Sequence, residues 1–213
     1  VLPRSLDSML SLDYPRNRIE FVYVYEDNCT DRTKEIILEY AKRDPRLKPV
    51  KRTAGNGGKA AAINYGLQYC NGEIIGSFDA DHSLEPSVVK KAVHWLQDSK
   101  VACVKGRCRT INKDESLLAK ITGVDRDIWE SLWIYQLDIV HGFSFFGGGH
   151  VFLKKSVIDE IGLFDENIMT EDIDYSVRTH KAGYEIRVDP TMVSWEESPA
   201  FITQWWHQRK RWS

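Results

Sequence analysis

At 213 residues, 42% hydrophobic and 28% charged, the chain is sized for one packed domain with a substantial core. Its 29 basic and 31 acidic residues leave a net charge of −2, which excludes a global electrostatic case for nucleic acid or a strongly acidic partner. The four cysteines (Cys29, Cys70, Cys103, Cys108) include no C-x-x-C pair, which excludes a dense disulfide framework and points to free thiols in a reducing compartment.

In chain order the elements alternate between helix and strand, the pattern of an α/β sheet with helices on its faces. Leu6, Met9, Leu10 and Leu12 mark a first helix ending before Tyr14-Pro15. The β-branched and aromatic run from Glu20 to Tyr25 predicts a buried strand. Thr30 or Asp31 can cap a helix with Ile36, Ile37 and Tyr40 on its apolar stripe, and a short strand follows over 47–51. The glycine-rich segment 55–58 leads into a helix from Lys59 to about Tyr69, and residues 73–78 form the next strand. Beyond it come a helix over 85–97 with Pro86 in its first turn, a strand over 101–110 and a helix over 115–138. Three glycines at 147–149 break the chain before a short helix over 156–161. A helix over 171–181 has Thr170 as its cap and Gly183 past its end. Short strands over 185–189 and 192–196 precede a last helix bearing Trp205, Trp206 and Trp212. The longest apolar run, 139–153, is interrupted by His141, Ser144, His150 and four glycines, so it lacks the ~20 apolar residues of a membrane span. The sequence opens at Val1 without Met and stops at Ser213, so both ends are expected to be cut from a longer protein.

Chemistry concentrates at the strand ends. Asp79 and Asp81 follow a hydrophobic strand, where open α/β sheets hold ligands. In an extended segment alternate residues point the same way, so both carboxylates are expected to converge on one hard divalent cation. Glu26-Asp27 ends the earlier strand. Asp27 can accept a hydrogen bond from a nucleobase, or serve with Asn28 and Asp31 in a turn that caps the next helix. Lys59 opens a helix after a glycine-rich loop, a favourable setting for phosphate, although the P-loop pattern is absent. Thr170-Glu171-Asp172 begins a helix, where acidic residues complement the dipole or supply a general base. Near the end, Gln208, Arg209, Lys210, Arg211 and Trp212 suit phosphate, hydroxyls and a sugar face, or a basic amphipathic helix on anionic lipid.

Taken together and in this order, these residues resemble glycosyltransferase family 2, most of all the processive cellulose, hyaluronan and chitin synthase-like group with its Q-x-x-R-W motif, here Gln208-x-x-Arg211-Trp212. The resemblance covers the whole chain, residues 1–213, as one catalytic domain. It implies a GT-A-like, doubly wound mixed sheet with helices on both faces. It further implies metal-dependent, inverting transfer of a sugar from a UDP- or GDP-sugar to an acceptor hydroxyl, in polysaccharide or glycolipid synthesis. By that likeness Asp172 is the catalytic base, while Asp27, Lys59, Asp79 and Arg211 bind the nucleotide-sugar. Gln208 and Trp212 meet the acceptor, and Asp79 with Asp81 holds Mg2+ or Mn2+. The segment from Phe145 to Gly148 resembles the lining of the acceptor end. The implied partners are a nucleotide-sugar donor and a glycan or lipid-linked acceptor, with a membrane reached through segments outside this sequence, on its cytoplasmic face.

Four departures from the family pattern stand out. Glu26-Asp27 replaces two aspartates, Lys105 stands where relatives often have Gln, and His150 stands where they often have a small or amide residue. Relatives also begin with a hydrophobic strand that lies centrally in the sheet, and this chain begins at the helix after it. Two open sheet edges and poor turnover are expected as a result. Single transfer to a lipid phosphate and a non-catalytic sugar-nucleotide-binding module are the alternative readings. A nucleotidyltransferase would start with a glycine-rich loop bearing Arg and Lys, which this sequence does not show.

Overall fold

A computed structural model describes residues 1–213 except Ala54, Asn56, Gly57, His141 and Ser213; the side chains of Arg211 and Trp212 also lie outside the described residues. Helix α1 (Leu2–Leu10) has Pro3 in its first turn and buries Leu6 and Met9. Strand β1 (Phe21–Glu26) turns Phe21, Tyr23 and Tyr25 into the core, as its period-two pattern requires. Asp31 accepts from the Thr33 N–H at 3.0 Å and so starts α2 (Thr33–Arg43), which buries Ile37. Strand β2 (Leu47–Arg52) runs parallel to β1, Phe21 opposite Leu47. Helix α3 (Gly58–Leu67) lies against β1, where a Cβ on Gly66 would come within 2.9 Å of Val24.

The remaining strands are β3 (Ile74–Ser77), β4 (Ser83–Leu84), β5 (Val101–Thr110), β6 (Val151–Lys154) and β7 (Glu185–Glu196). They form a mixed sheet in the order β3-β6-β5-β7-β4, in which only the β5–β7 pair is parallel. Helix α4 (Val88–Trp95) follows β4, and α5 (Leu117–Ile128) follows β5. A π-helical turn (Trp129–Ile134) joins α5 to α6 (Tyr135–Ile139). Helix α7 (Lys155–Ile161) follows β6, α8 (Glu171–Lys181) precedes β7, and α9 (Ile202–Trp212) ends the chain.

The structure adds β4 and β6, each too short to stand out in the sequence, and merges the two predicted strands after 185 into β7. A bulge between Asp189 and Val193, opposite Gly106 and Arg107, lets β7 continue past Pro190. Two buried clusters flank the sheet. One joins α1, β1, α2 and α4, and the other joins α3, β6, α7 and α8 through Phe164 stacked on Tyr175 at 4.3 Å.

Among the described residues β1 and β3 each pair on one side only. A groove of about 890 Å3 runs between them, lined by Val22, Val24, Ile63, Ile75, Phe78 and Phe152, with Lys59 and Asp79 at one end. The pair β1-β2 is therefore a separate sheet and not a continuation of the other. No helix among the described residues is long and apolar enough to cross a membrane. The cysteines are free, Cys103 and Cys108 both lying on β5.

Candidate active site

The site assembles where β1 and β3 end, around one short glycine loop. Asp79 leaves β3, and Lys59 in the first turn of α3 reaches it, Nζ to Oδ1 at 2.5 Å. The glycine segment 147–149, just before β6, passes between Asp79 and the start of α8. Its Gly148 N–H donates to Asp172 Oδ2, and Gly149 packs against the Asp79 backbone and carboxylate. The loop tolerates no side chain there. Gly148 sits at φ +77°, and a Cβ on Gly149 would lie 2.9 Å from the Asp79 N and 3.1 Å from its Oδ2. Two consecutive glycines thus touch carboxylates that are 93 positions apart in sequence (172 − 79). Burial opposes ionisation of Asp79, but Lys59 outweighs it, with help from His82 and Gly149, and holds the carboxyl below its usual range. Glu171 goes the other way: burial, with the charge of Asp172 beside it, raises its carboxyl. Asp172 also accepts from the Ile173 N–H at 2.8 Å, which fixes its second oxygen.

The Asp79–Asp81 segment departs from the extended form expected for it. The His82 N–H bonds back to the Asp79 carbonyl at 3.1 Å, so residues 79–82 make a turn. A turn removes the alternation that would aim both side chains one way. Asp79 opens on the groove with Lys59. Asp81 opens on a separate cleft of about 500 Å3, lined by Tyr23, Asp31, Thr33 and Ile36, and Ala80 borders both. Asp27 is exposed just past β1, its N–H bonded to the Arg52 carbonyl at 2.8 Å, and Glu26 pairs with Arg52 at 2.5 Å. Asp31 takes part in the turn that leads into α2, its carboxylate accepting from the Thr33 N–H.

The sequence matches the family profile described as Glycosyl transferase family 2 over residues 1–162. The chain belongs to glycosyltransferase family 2. It is 31% identical over 222 residues to a probable glycosyltransferase, YdaM, of Bacillus subtilis (strain 168), covering 100% of this chain and 51% of that protein. It is 31% identical over 216 residues to a beta-monoglucosyldiacylglycerol synthase of Nostoc sp., covering 100% and 45%. With a poly-beta-1,6-N-acetyl-D-glucosamine synthase of Staphylococcus epidermidis it shares 30% over 210 residues, covering 98% and 50%. The chain spans about half the length of these relatives. Among solved structures, the mannosyltransferase PcManGT of Pyrobaculum calidifontis, in complex with GDP-Man and Mn2+, superposes with a TM-score of 0.73 at 24% identity, covering 98% of this chain and 56% of that one. S. aureus TarS 1-349 with UDP-GlcNAc gives 0.67 at 18%, covering 93% and 55%. At those identities the likeness shows the fold, which is GT-A.

Helix α9 is tied to α5 by Arg209–Asp125 at 2.7 Å, and no contact among the described residues joins half-buried Gln208 to Asp79 or Asp172. Arg211 and Trp212, expected at the donor and the acceptor, have side chains outside the described residues. Two features escaped the sequence. The first is a buried network in which His82 Nε2 meets Glu196 at 2.8 Å and Cys108 Sγ at 3.9 Å. Arg126 lies against both Glu196 and Cys108, so its guanidinium already supplies the positive charge, and the three donors make an ion-pair network and not a cation site. The second is a buried ion pair, Lys105 to Glu130 at 2.7 Å, beside His150. The His150 ring packs on Gly106, with burial and then the Lys105 charge keeping it neutral. Only a fold that brings distant strands together makes these visible.

Proposed function

We propose that the chain is the catalytic part of an inverting glycosyltransferase that moves a sugar from a UDP- or GDP-sugar to an acceptor hydroxyl. The observation that carries this reading is the glycine loop, whose Gly148 N–H donates to Asp172 while Gly149 packs against Asp79, so that one segment ties a general-base candidate to a donor-side carboxylate. In this reading Lys59 and Asp27 bind the nucleotide diphosphate and base, and Arg211 closes over the diphosphate. Gln208 and Trp212 hold the acceptor after α9 moves toward the cleft. Asp79, on the groove beside Lys59, is a hard oxygen donor of the kind Mg2+ or Mn2+ takes, and Asp81 would join it as a second donor once the 79–82 turn extends. When bound, such an ion neutralises charge on the departing diphosphate.

Asp172 takes the proton from the acceptor hydroxyl, held in orientation by the Gly148 and Ile173 N–H groups. The freed oxygen attacks the anomeric carbon from the face opposite the nucleotide, and the bond to the diphosphate breaks, which inverts the centre. No covalent intermediate is required, so positioning and charge stabilisation by Lys59 supply the rate. Relatives named for a glucosyldiacylglycerol and for a polymeric N-acetylglucosamine support a lipid or glycan acceptor.

The test is nucleotide release and sugar transfer with a panel of UDP- and GDP-sugars, with Mg2+ or Mn2+, for wild type and Asp172→Asn. Metal-dependent release of one nucleoside diphosphate that Asp172→Asn abolishes is the expected result. Donor binding without turnover under every donor and acceptor tried would favour the non-catalytic binding module.

A further inference from the structure

Under the Asp79–His82 turn lies a buried ring that takes no part in the proposed chemistry. His82 is 1% exposed, and its Nε2 lies 2.8 Å from Glu196 at the end of β7. Glu196 also pairs with Arg126 of α5. A carboxylate held by a guanidinium accepts hydrogen bonds and donates none, so the imidazole hydrogen sits on Nε2. Nδ1 is then a buried acceptor with no hydrogen-bond partner among the described residues. A phenyl ring would fill the same space, edge-on to Phe78 as the imidazole is, without leaving a nitrogen unpaired. Packing alone therefore does not call for histidine here. What the imidazole adds is one directed bond to Glu196.

That bond holds a junction. Strand β4 begins at the next residue and pairs with β7 over only Ser83–Trp195 and Leu84–Ser194, so the side-chain tie to Glu196 adds to a short ladder. The glycine loop rests on the same ring: a Cβ on Gly149 would lie 2.9 Å from His82 Cε1 and 2.9 Å from the Asp79 N. Gly149 is thus wedged between the two ends of the turn, and its neighbour Gly148 donates to Asp172. Lys59 holds Asp79 at the first end, and Glu196 holds His82 at the second. Exposed Ala80 and half-buried Asp81 lie between these two held ends. A movement that brings Asp81 toward Asp79 therefore swings about His82.

We infer that His82 is a positioning residue: through Glu196 it fixes the end of the 79–82 turn and the seat of Gly149, so that a nucleoside diphosphate and its metal meet Asp79 and Asp81 in place. The inference rests on the proposed transferase reading for its ligand and not for its geometry. The test compares three variants of this chain. His82→Phe keeps a ring and removes the donor, His82→Gln carries an amide N–H long enough to reach Glu196, and His82→Asn carries one too short. Calorimetry with UDP and with GDP, each with Mn2+, reads binding, and amide hydrogen exchange without ligand reads the loop. His82→Phe and His82→Asn should each weaken nucleotide binding about tenfold. Both should speed exchange at Gly148, Gly149 and residues 79–84, while β5 keeps its wild-type protection and so reports an intact fold. His82→Gln should recover most of both losses, which a merely space-filling role would not produce. Wild-type affinity and exchange in His82→Asn, or equal losses in the Gln and Asn variants, overturn the inference. Loop exchange that follows this order in a chain binding neither nucleotide overturns the transferase reading and leaves His82 as the anchor of the turn.

Discussion

Asp172 receives two backbone N–H groups, from Gly148 and Ile173, so its oxygens are aimed by the main chain and not by a flexible partner. Replacing it with Asn keeps the shape and removes the proton acceptor. Turnover should fall by roughly 10²–10⁴-fold with nucleotide affinity retained, which rate measurements alongside calorimetry can check. Gly149 makes a sharper demand on space. A methyl group there meets the Asp79 backbone and carboxylate and the His82 ring, none of which is the end of a long, yielding side chain. Gly149→Ala should therefore weaken donor binding and turnover together, at a modest cost in melting temperature. A variant with wild-type donor affinity would show that the loop does not position Asp79.

At the scale of elements, two buried charge pairs hold segments whose sequences alone would leave them loose. Lys105 on β5 and Glu130 in the π-helical turn are 1% and 8% exposed, so removing one partner strands the other in a dry interior. Lys105→Met should cost about 3–5 kcal/mol, and adding Glu130→Leu should recover most of it, measured by urea denaturation as a double-mutant cycle. Asp44 ends α2 and accepts from Arg46, by both backbone and guanidinium, and from Arg16. The Arg46 hydrogen bonds outweigh partial burial and hold the Asp44 carboxyl well below the usual carboxylate range. Because the folded value lies below the unfolded one, this contribution is complete above the ordinary carboxylate pKa of about 4. It is lost as pH falls through the folded value. Asp44→Asn should cost about 2 kcal/mol at neutral pH. The gap to wild type should stay constant down to about pH 5 and close in stronger acid.

For the whole molecule, the open feature is the groove between β1 and β3. Both strands have unpaired backbone on the side facing it among the described residues, and Lys59 and Asp79 stand at its end. Water in the groove weakens the field those two residues exert on a diphosphate. This chain should accordingly turn over donor below the ~1 s⁻¹ lower end of ordinary enzymes. The groove-side amides of β1 and β3 should exchange hydrogen faster than those of central β5. A monomer with ordinary turnover would contradict both the weakened field and the slow rate assigned to it.

The sequence by itself determined the alternation of elements and the family. Those depend on local periodicity and on residue types at strand and helix ends, which read directly along the chain. It also limited the fold to a mixed α/β sheet, since hydrophobic runs with helical connections have few ways to pack. What only the tertiary structure decided involves residues far apart in number. The turn at Asp79–His82 sends Asp79 and Asp81 to different clefts, because a bond from the His82 N–H prevailed over extended alternation. Lys105, an unexplained departure in the sequence, finds Glu130 25 positions on, because burial of an ammonium requires a partner and β5 faces the π-helical turn. The apolar stripe from Leu117 to Leu132 has helical spacing, consistent with the helix read over 115–138. Only the packing of Gly123 and Ala119 onto β5 turned it outward. Periodicity fixes that a helix has an apolar face, and neighbours in space fix what that face meets.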